Sequence, residues 1–461
     1  MPELDAQSLR RFKPYPAYKD SGVEWLGEIP AHWEVRRLKY VSSIENSGVY
    51  GAEPGEKDLD LPVCTTAHLN MDGRFLVHEM PVRGFSAREA AHYVGKPGDI
   101  FVVKSSGSNM HIISGKVGLV TEKDPHIVFS NFLLRIRPLR AFVLPEFLAY
   151  LLRSELTRER IQRMVATTTY PNIDVPEYVS STLPIPPIDE QQAIAAFLDH
   201  ETAKIDALVA KKERLIELLQ EKRTALITRA VTRGLDPTVP MKDSGVEWLG
   251  QIPAHWEVRR VKRVFRVVNG STPASSEPAY WDGSIPWVTP EDLGDLRSKL
   301  ITATRRSLTE EGYQSCGTTL VPAGSLVLST RAPIGHLAIA GVDLCTNQGC
   351  RSLVFRHSSS REFFYYGLLA ARSKLESLGQ GSTFRELATE DLENVKITVP
   401  PEPEQHAIAA FLDRETAKID ALIAKVREAI ERLKEYRTAL ISAAVTGKID
   451  VSEGGERKEE G

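Results

Sequence analysis

Histidine and cysteine side chains are the residues of this sequence best suited to metal binding or catalysis, but their spacing favours neither role. His32 and His255 each precede a tryptophan at equivalent places in two similar segments, and no second ligand lies nearby in the sequence. Cys345 and Cys350 lack partner cysteines or histidines at the short spacing of a zinc site. We therefore expect His32 and His255 to have a structural role, and the sequence predicts no metal site.

Nucleotide-binding and hydrolytic motifs are absent from the sequence as well. No G-x-x-x-x-G-K-S/T occurs, no G-x-G-x-x-G follows a predicted strand, and neither H-E-x-x-H nor G-x-S-x-G is present. The sequence also lacks the Asn-Pro-Pro-aromatic or Asp-Pro-Pro-aromatic tetrapeptide expected of an amino-methylating DNA methyltransferase. It therefore predicts no catalytic residue, and we expect that the chain is not an enzyme by itself.

The segments that would position functional residues occur twice. Lys19–Lys39 and Lys242–Lys262 differ at two of 21 positions and lie 223 residues apart. Ala193–Lys211 and Ala407–Lys425 differ at two of 19 positions, at an offset of 214. This A–B–A–B order indicates an internal repeat, equivalent to a pseudo-dimer on one chain, and not a solenoid.

The blocks between the duplicated segments, about 40–184 and 263–398, share little sequence but have a common plan. Residues 97–108 and 323–335 each contain a glycine, an apolar strand-like run and a polar, basic loop. Short β-branched runs punctuated by Gly, Pro and Ser, followed by a helical pattern, predict an α+β domain built around a modest mixed sheet.

The second duplicated segment begins a long helix in each copy. Alternating three- and four-residue steps place apolar side chains at five of seven seam positions in the first helix and at all seven in the second. These positions are 205, 208, 212, 215, 219, 222 and 226, and 419, 422, 426, 429, 433, 436 and 440. Because this period is typical of coiled coils, we expect the two helices, each roughly 60 Å long, to pair antiparallel and to end at Gly234 and Gly447.

The composition excludes several classes of protein. The 461 residues carry 58 basic and 61 acidic side chains, and the net charge of −3 excludes a wholly basic DNA-packaging protein but not a local basic surface. Four cysteines without a C-x-x-C pair favour a reducing compartment. Since no apolar run reaches membrane-spanning length and the N-terminus has no apolar signal region, we expect a soluble cytoplasmic protein.

The duplicated motifs resemble those of a known family. The segments YKDSGVEWLGEIPAHWEVRRLK and IPIPPIDEQQAIAAFLDHETAKIDAL, with their second copies, are similar to the specificity subunit of Type I restriction-modification enzymes. The resemblance implies that the variable blocks are two target-recognition domains and that the long helices are spacers. It also implies double-stranded DNA, two methyltransferase subunits and restriction/translocase subunits as partners, with no membrane. This chain then needs no cofactor, and S-adenosylmethionine, ATP and Mg are expected on the partner subunits.

The predicted fold is α+β: two target-recognition domains of mixed sheet and helices, separated by two long helices forming an antiparallel coiled coil, with an internal pseudo-two-fold repeat. The predicted division is an N-terminal arm (1–17), a first target-recognition domain (18–187), a first long spacer helix (188–234), a second target-recognition domain (235–401), a second long spacer helix (402–447) and a disordered tail (448–461). Two unlike heads on a like frame suit a bipartite, asymmetric DNA target with a fixed gap, on the order of one helical turn between half-site centres.

Base recognition requires side chains such as Arg, Lys, Asn and Gln on loops that can enter the major groove. Polar loops in both heads supply such residues. The candidates in the first head are Lys104, Ser105, Ser106, Ser108, Asn109, Thr168, Thr169, Tyr170 and Asn172. Those in the second head are Thr330, Arg331, Asn347, Gln348, Gln380, Ser382, Thr383 and Arg385. The alternative is that these loops only cap helices and form turns.

Two other interpretations of the whole chain remain open from the sequence. The chain could be a structural adaptor whose coiled-coil arms present two protein-binding heads, or a nuclease with an unrecognised active site. An adaptor would lack salt-dependent binding to random DNA. A nuclease would show metal-dependent cleavage by the isolated chain.

Overall fold

The computed structural model describes residues 12–105, 114–157, 172–381 and 385–451. The chain divides into two compact units, of which unit 1 is Met1–Lys212 with Arg427–Gly461 and unit 2 is Glu213–Val426. Each unit holds one head and one half of each long helix, so this division crosses the spacer helices and differs from the linear one drawn from the sequence. Within the described ranges, no helix is long and apolar enough to cross a membrane.

The first head is built mainly on antiparallel strands, with one parallel strand pair and with short helices between the strands. Its strands are β1 (Tyr18–Asp20), β2 (Glu28–Pro30), β3 (Glu34–Arg37), β4 (Ser42–Glu45), β5 (Leu59–Cys64), β6 (Val82–Phe85), β7 (Ile100–Val103), β8 (Val117–Leu119), β9 (Val128–Phe129), β10 (Leu133–Pro138) and β11 (Thr182–Ile185). Its helices are α1 (Leu38–Val41), α2 (Ala87–Tyr93), α3 (Pro145–Arg153) and α4 (Val175–Val179), with 3-10 turns at Thr66–His68 and Val77–Glu79. The main sheet has the order β4-β10-β7-β8, and β6-β5-β9 form a smaller sheet.

The second head repeats this plan with different strand lengths. Its strands are β12 (Met241–Asp243), β13 (Gln251–Pro253), β14 (Glu257–Arg260), β15 (Phe265–Asn269), β16 (Trp281–Val288), β17 (Leu300–Ile301), β18 (Ser307–Leu308), β19 (Leu326–Ser329), β20 (Leu337–Ala340), β21 (Cys345–Thr346), β22 (Cys350–Phe355) and β23 (Lys396–Val399). The helices of the rest of the chain are α5 (Ile188–Arg233), α6 (Val261–Val264), α7 (Pro290–Asp295), α8 (Glu310–Gln314), α9 (Arg361–Ala370), α10 (Arg372–Leu378), α11 (Thr389–Asn394) and α12 (Glu402–Val445), with a 3-10 turn at Pro278–Tyr280. The main sheet has the order β15-β22-β19-β20-β17.

The central strand of each main sheet is buried on both faces, which explains its continuous apolar sequence. In β7, Ile100 and Val102 belong to one hydrophobic cluster, whereas Phe101 and Val103 belong to another. The same alternation between two clusters recurs in β19. Because successive side chains of a strand point to opposite faces, each short strand joins two cores and fixes the start of the loop that follows it.

The two long helices pair antiparallel, as predicted. In unit 2, Leu219 of α5 packs in one apolar cluster with Ile419 and Ile423 of α12. Further along α5, Ile227 shares a core with Leu412, which lies earlier in α12. Rising residue numbers in α5 therefore meet falling numbers in α12.

The seam of the helix pair differs from the predicted one at every second position. Buried or partly buried side chains along α5 lie at positions 205, 209, 212, 216, 219, 223 and 226. The equivalent positions of α12 are 419, 423, 426, 430, 433, 437 and 440. Leu208 and Leu215, which the sequence pattern assigns to the seam, are 43% and 41% exposed. The sequence does not separate the two registers, because Val209 follows Leu208 and Ile216 follows Leu215, so that both alternatives are apolar.

Both long helices end at the predicted glycines. Gly234 and Gly447 follow the last helical turns with φ of +73° and +72°, in the left-handed region that favours glycine. A side chain at Gly447 would also collide with the ring of Pro30. The two glycines therefore stop the helices and allow the end of α12 to approach the first head closely.

The start of the predicted disordered tail is instead part of the core of unit 1. Ile449 and Val451 are buried there, together with Phe12 from the predicted N-terminal arm. The N–H of Asp450 donates to the carbonyl of Lys13 at 2.8 Å. Disorder is therefore the wrong prediction for 448–451, because alternating apolar residues bury one side of this segment while its backbone pairs with the arm. Residues 452–461 lie outside the described residues.

Candidate nucleic-acid interface

The first duplicated segment, Lys19–Lys39 with its copy Lys242–Lys262, forms a short hairpin in each head. This duplicated hairpin connects the head to the start of a long helix. His32 Nε2 lies 2.8 Å from Glu190 Oε2, and the indole N–H of Trp33 donates to Glu190 Oε1 at 3.0 Å. The equivalent side chains of the second copy make the same contacts with Glu404, at 2.7 and 2.9 Å. These contacts confirm the structural role predicted for the two histidine–tryptophan pairs.

In the first head, two of the predicted loops meet beyond the end of β7. The backbone N–H of Lys104 donates to the carbonyl of Phe132 at 3.0 Å, and the carbonyl of Lys104 accepts from the N–H of Ile173 at 2.8 Å. Ser105 and Asn172 pair as an antiparallel β-bridge. The fold thus brings together Lys104, Ser105 and Asn172, which are far apart in the sequence.

The loop after β4 completes this end of the first head. Lys104 Nζ donates to the carbonyl of Asn46 at 2.7 Å, and burial lowers the pKa of Lys104. The hydroxyl of Ser47 donates to the carbonyl of Asn131 at 3.4 Å. Asn46 and Asn131 are not among the residues predicted from the sequence. Asn46 could have been chosen from the sequence, because an asparagine, Asn269, recurs at the 223-residue offset of the duplicated hairpin.

In the second head, Thr330 has a structural role and cannot reach a ligand. It is 0% exposed, and its N–H and hydroxyl both donate to the carbonyl of Gly349, at 2.8 and 3.2 Å. Its own carbonyl accepts from the N–H of Leu387 at 2.8 Å. We therefore remove Thr330 from the candidate DNA contacts, since its polar groups already hold three loops together.

Arg331, the next residue, forms an ion pair at the surface. Its Nε donates to Glu386 Oε2 at 3.1 Å, and Arg351 Nη2 lies 3.7 Å from the other oxygen of Glu386. Arg351 also donates from Nε to the hydroxyl of Thr389 at 2.9 Å, and burial lowers its pKa. Two guanidinium groups thus lie beside one carboxylate, and such cations can attract a polyanionic ligand.

The turn before β22 presents one of the two predicted amides to solvent. Asn347 Oδ1 accepts from the N–H of Gly349 at 3.0 Å, so this side chain stabilises the turn. Gln348 is exposed, and its side-chain oxygen accepts a hydrogen bond from the hydroxyl of Thr272. Thr272 was not predicted, although it lies in the polar loop after β15 that corresponds to the Asn46 loop of the first head.

The loop at 380–387 closes the edge of the second head. Gln380 and Glu386 exchange backbone hydrogen bonds at 3.0 and 2.9 Å, and Gln380 Nε2 donates to Asp391 Oδ2 at 3.2 Å. The carbonyl of Arg385 accepts from the N–H of Ala332 at 3.2 Å. The exposed guanidinium of Arg385 makes no hydrogen bond or ion pair with any residue in the described part of the chain. An exposed guanidinium in this position can donate hydrogen bonds to a ligand.

The two heads thus carry the same backbone arrangement, which we name the readout edge. In the first head it consists of residues 46–47, 104–105, 131–132 and 172, and in the second of 271–272, 330–331, 347–349, 380 and 385–386. The bridge between Ser105 and Asn172 corresponds to the bridge between Arg331 and Glu386. The candidates Ser106, Ser108, Asn109, Thr168, Thr169, Tyr170, Ser382 and Thr383 lie outside the described residues.

Three of the four cysteine side chains are buried. All four are free, and burial raises the pKa of Cys64 to about 12 and that of Cys345 to about 11, so neither is a thiolate at neutral pH. Among the described residues, no group of three His, Cys, Asp or Glu side chains is arranged to hold a metal ion.

Comparison with known proteins identifies relatives over the whole length of the two repeats. A family model described as the Type I restriction modification DNA specificity domain matches residues 30–218 and 253–432, which together are well over half of the chain. A specificity subunit assigned to the type I restriction enzyme MjaX of Methanocaldococcus jannaschii is 27% identical over 433 residues. The match covers 92% of this chain and 96% of that protein.

Solved structures show the same fold. A chain from a study of complex assembly and conformational transition in the type I R-M system matches with a TM-score of 0.70 and 21% identity, covering 90% of this chain and 98% of that one. The HsdS subunit of Thermoanaerobacter tengcongensis matches with a TM-score of 0.51 and 20% identity, covering 91% and 98%. The predicted fold class, with two mixed α+β heads and two long helices, is confirmed.

Proposed function

We propose that this chain, which belongs to the family of Type I restriction-modification DNA specificity subunits, reads a bipartite, asymmetric DNA target through its two readout edges. The chain is the sequence-recognition subunit of a restriction-modification complex. Each head reads one half-site, and the frame of duplicated hairpins and helices holds the two heads for that purpose.

One observation carries the proposal: the two readout edges share their backbone hydrogen bonds but not their side chains. The Ile173 N–H bonds to Lys104 in the first head, and the Leu387 N–H bonds to Thr330 in the second. Around these matched contacts, the bridging residues are Ser105 and Asn172 in one head but arginine and glutamate in the other. Two edges with the same backbone arrangement but different side chains are suited to reading two different short DNA sequences.

The exposed side chains of the edges have the donors and acceptors that base pairs require. A guanidinium such as that of Arg385 can donate two parallel hydrogen bonds to guanine O6 and N7. The amides of Asn172 and Gln348 can each donate and accept at once, which matches the N6 and N7 of adenine. Lys104 in the first edge and Arg331 in the second can supply attraction for phosphates, which positions a protein on DNA.

The catalytic steps belong to other subunits in this proposal. Two methyltransferase subunits bind S-adenosylmethionine and modify the target, whereas restriction/translocase subunits use ATP and Mg. The chain itself is non-catalytic, holds no cofactor and acts in the cytoplasm. The sequence lacks the methyltransferase and nucleotide-binding motifs that these reactions use, which supports this division of labour.

The test is to co-purify the chain with its methyltransferase subunits and to map methylated adenines across a genome. We expect one sequence with two short specified parts, different from each other and separated by a fixed number of unspecified bases. A palindromic or uninterrupted target would contradict the two-edge model, and methylation without sequence preference would contradict the proposed function.

A further inference from the structure

Phe132 is a large apolar residue that remains half exposed at the readout edge of the first head. It lies in the turn between β9 and β10, and 50% of its surface is accessible. By contrast, the side chains of Phe129, at the end of β9, and of Ser130, which follows it, are completely buried. The phenyl ring therefore leaves the core at the point where the polar loops of the edge meet.

The backbone of this turn is held on both sides. The carbonyl of Phe132 accepts from the N–H of Lys104 at 3.0 Å, and the carbonyl of Asn131 accepts from the Ser47 hydroxyl at 3.4 Å. The N–H of Ser130 donates to the carbonyl of Cys64 at 3.0 Å. Because three separate segments hold the turn, the exposure of the ring is built into the fold.

The second head has no side chain at the corresponding position. There the carbonyl of Gly349 accepts from the N–H of Thr330, just as that of Phe132 accepts from Lys104. The two heads thus share the backbone contact and differ completely in what projects from it. Such a difference is expected where two heads read different bases, and not where a residue serves the common scaffold.

We infer that Phe132 is a specificity-determining residue that contacts the C5-methyl group of a thymine in the first half-site. The inference rests on the proposed function, because it assumes that this edge faces the major groove. The thymine methyl is the apolar group that a base pair presents in that groove, and phenylalanine is one of the side chains that contact it. The surrounding amides and hydroxyls can satisfy the neighbouring polar base edges while the ring covers the methyl group.

The test uses the chain in complex with its methyltransferase subunits and a duplex carrying the target mapped for that complex. Each thymine of the first half-site, on either strand, is replaced in turn by deoxyuridine, which removes only the methyl group. We expect one replacement to weaken binding roughly fourfold, the value of one buried methyl group. In Phe132→Ala the thymine duplex should bind more weakly, and the same replacement should have no further effect.

Phe142→Ala is the matched control, because Phe142 follows the other end of β10 and is 38% exposed. This variant should keep the full sensitivity to deoxyuridine. Phe132→Leu, which preserves an apolar group, should retain part of it and guards against an effect of misfolding.

Three results would overturn the inference. They are a first half-site without thymine, a wild-type complex that is insensitive to every replacement, and a Phe132→Ala complex that is still as sensitive as the wild type. In the second of these cases, weaker binding by Phe132→Ala would indicate that the ring acts instead as a wedge between base steps. If the wild-type complex does not prefer the mapped target over random DNA, the proposed function fails instead.

Discussion

Arg437 and Asp206 face each other across the helix seam of unit 1, with 3.2 Å between Nε and Oδ1. At the repeat offset of 214 residues, Asp206 corresponds to Asp420 and Arg437 corresponds to Arg223. Asp420 Oδ1 and Arg223 Nε lie 3.0 Å apart in unit 2. Each unit therefore carries one copy of the same ion pair between α5 and α12. The shifted register explains this arrangement, because it places these arginines on the seam and leaves their neighbours Lys222 and Tyr436 beside it.

In unit 1 the ion pair also reaches the head. Arg437 Nη1 lies 3.4 Å from Asp72 Oδ1, and Arg74 Nη2 donates to Asp206 Oδ2 at 3.1 Å. The Asp72 loop is held in turn by Arg153, which donates from Nη1 to the carbonyl of Asp72 at 2.8 Å. These alternating charges fasten the first head to both helices.

Arg437→Gln should destabilise unit 1 by about 1–3 kcal/mol, because it removes a mostly buried guanidinium that neutralises the partly buried Asp206 and the exposed Asp72. The matched change Arg223→Gln removes a more exposed pair, and should cost unit 2 no more than about 1 kcal/mol. Hydrogen exchange of the full chain measures the two units separately. Equal losses in the two units would contradict the role assigned to the Asp72 contact.

Two adjacent residues of α12 test the register of the seam. Ile423 is 7% exposed and packs against Leu219, whereas Leu422 is 45% exposed. Ile423→Asp should cost several kcal/mol, because it buries a carboxylate without a partner. Leu422→Asp should stay within about 0.5 kcal/mol of the wild type. Thermal or urea denaturation decides between the registers, and the reverse order of stabilities would restore the one read from the sequence pattern.

The internal repeats and the helical periodicity of the sequence were enough to predict three features of the fold. These are the antiparallel helix pair, the two-head plan and the glycines at which the helices end. The seam register could not, since Val209 and Ile216 each follow a leucine and both alternatives are apolar. The packing of Ile449 in the core was also hidden, because its partners come from the other end of the chain. Local sequence patterns do not contain such long-range contacts.

Arg385→Ala should weaken binding to the specific target by about 1–3 kcal/mol and binding to random DNA much less, because its exposed guanidinium is suited to guanine. Relaxed specificity should be confined to the half-site of the second head. Titrations at several salt concentrations, with Arg414→Ala on α12 as the control, measure both effects. Equal losses on both DNAs, with a salt slope reduced by about one, would show that Arg385 binds phosphate.

The readout edges were predictable in part. The loop after a central strand, which contains Lys104 and Ser105, could be predicted as a candidate DNA contact because polar residues there follow an apolar strand pattern. Thr330 is equivalent in position to Lys104 and is also polar, yet its burial gives it a structural role. Asn131 and Phe132 escaped prediction because they lie in a tight turn whose contacts with other loops arise only in the folded head.

The central claim is that two independent readout edges read two half-sites, and exchange of one head tests it most directly. Residues 40–184 are replaced by the corresponding block of another family member, the complex is assembled with its methyltransferase subunits, and methylated adenines are mapped across a genome. We predict that one half-site changes to that of the donor, while the other half-site stays the same. A change in both half-sites together, or in neither, would contradict the account.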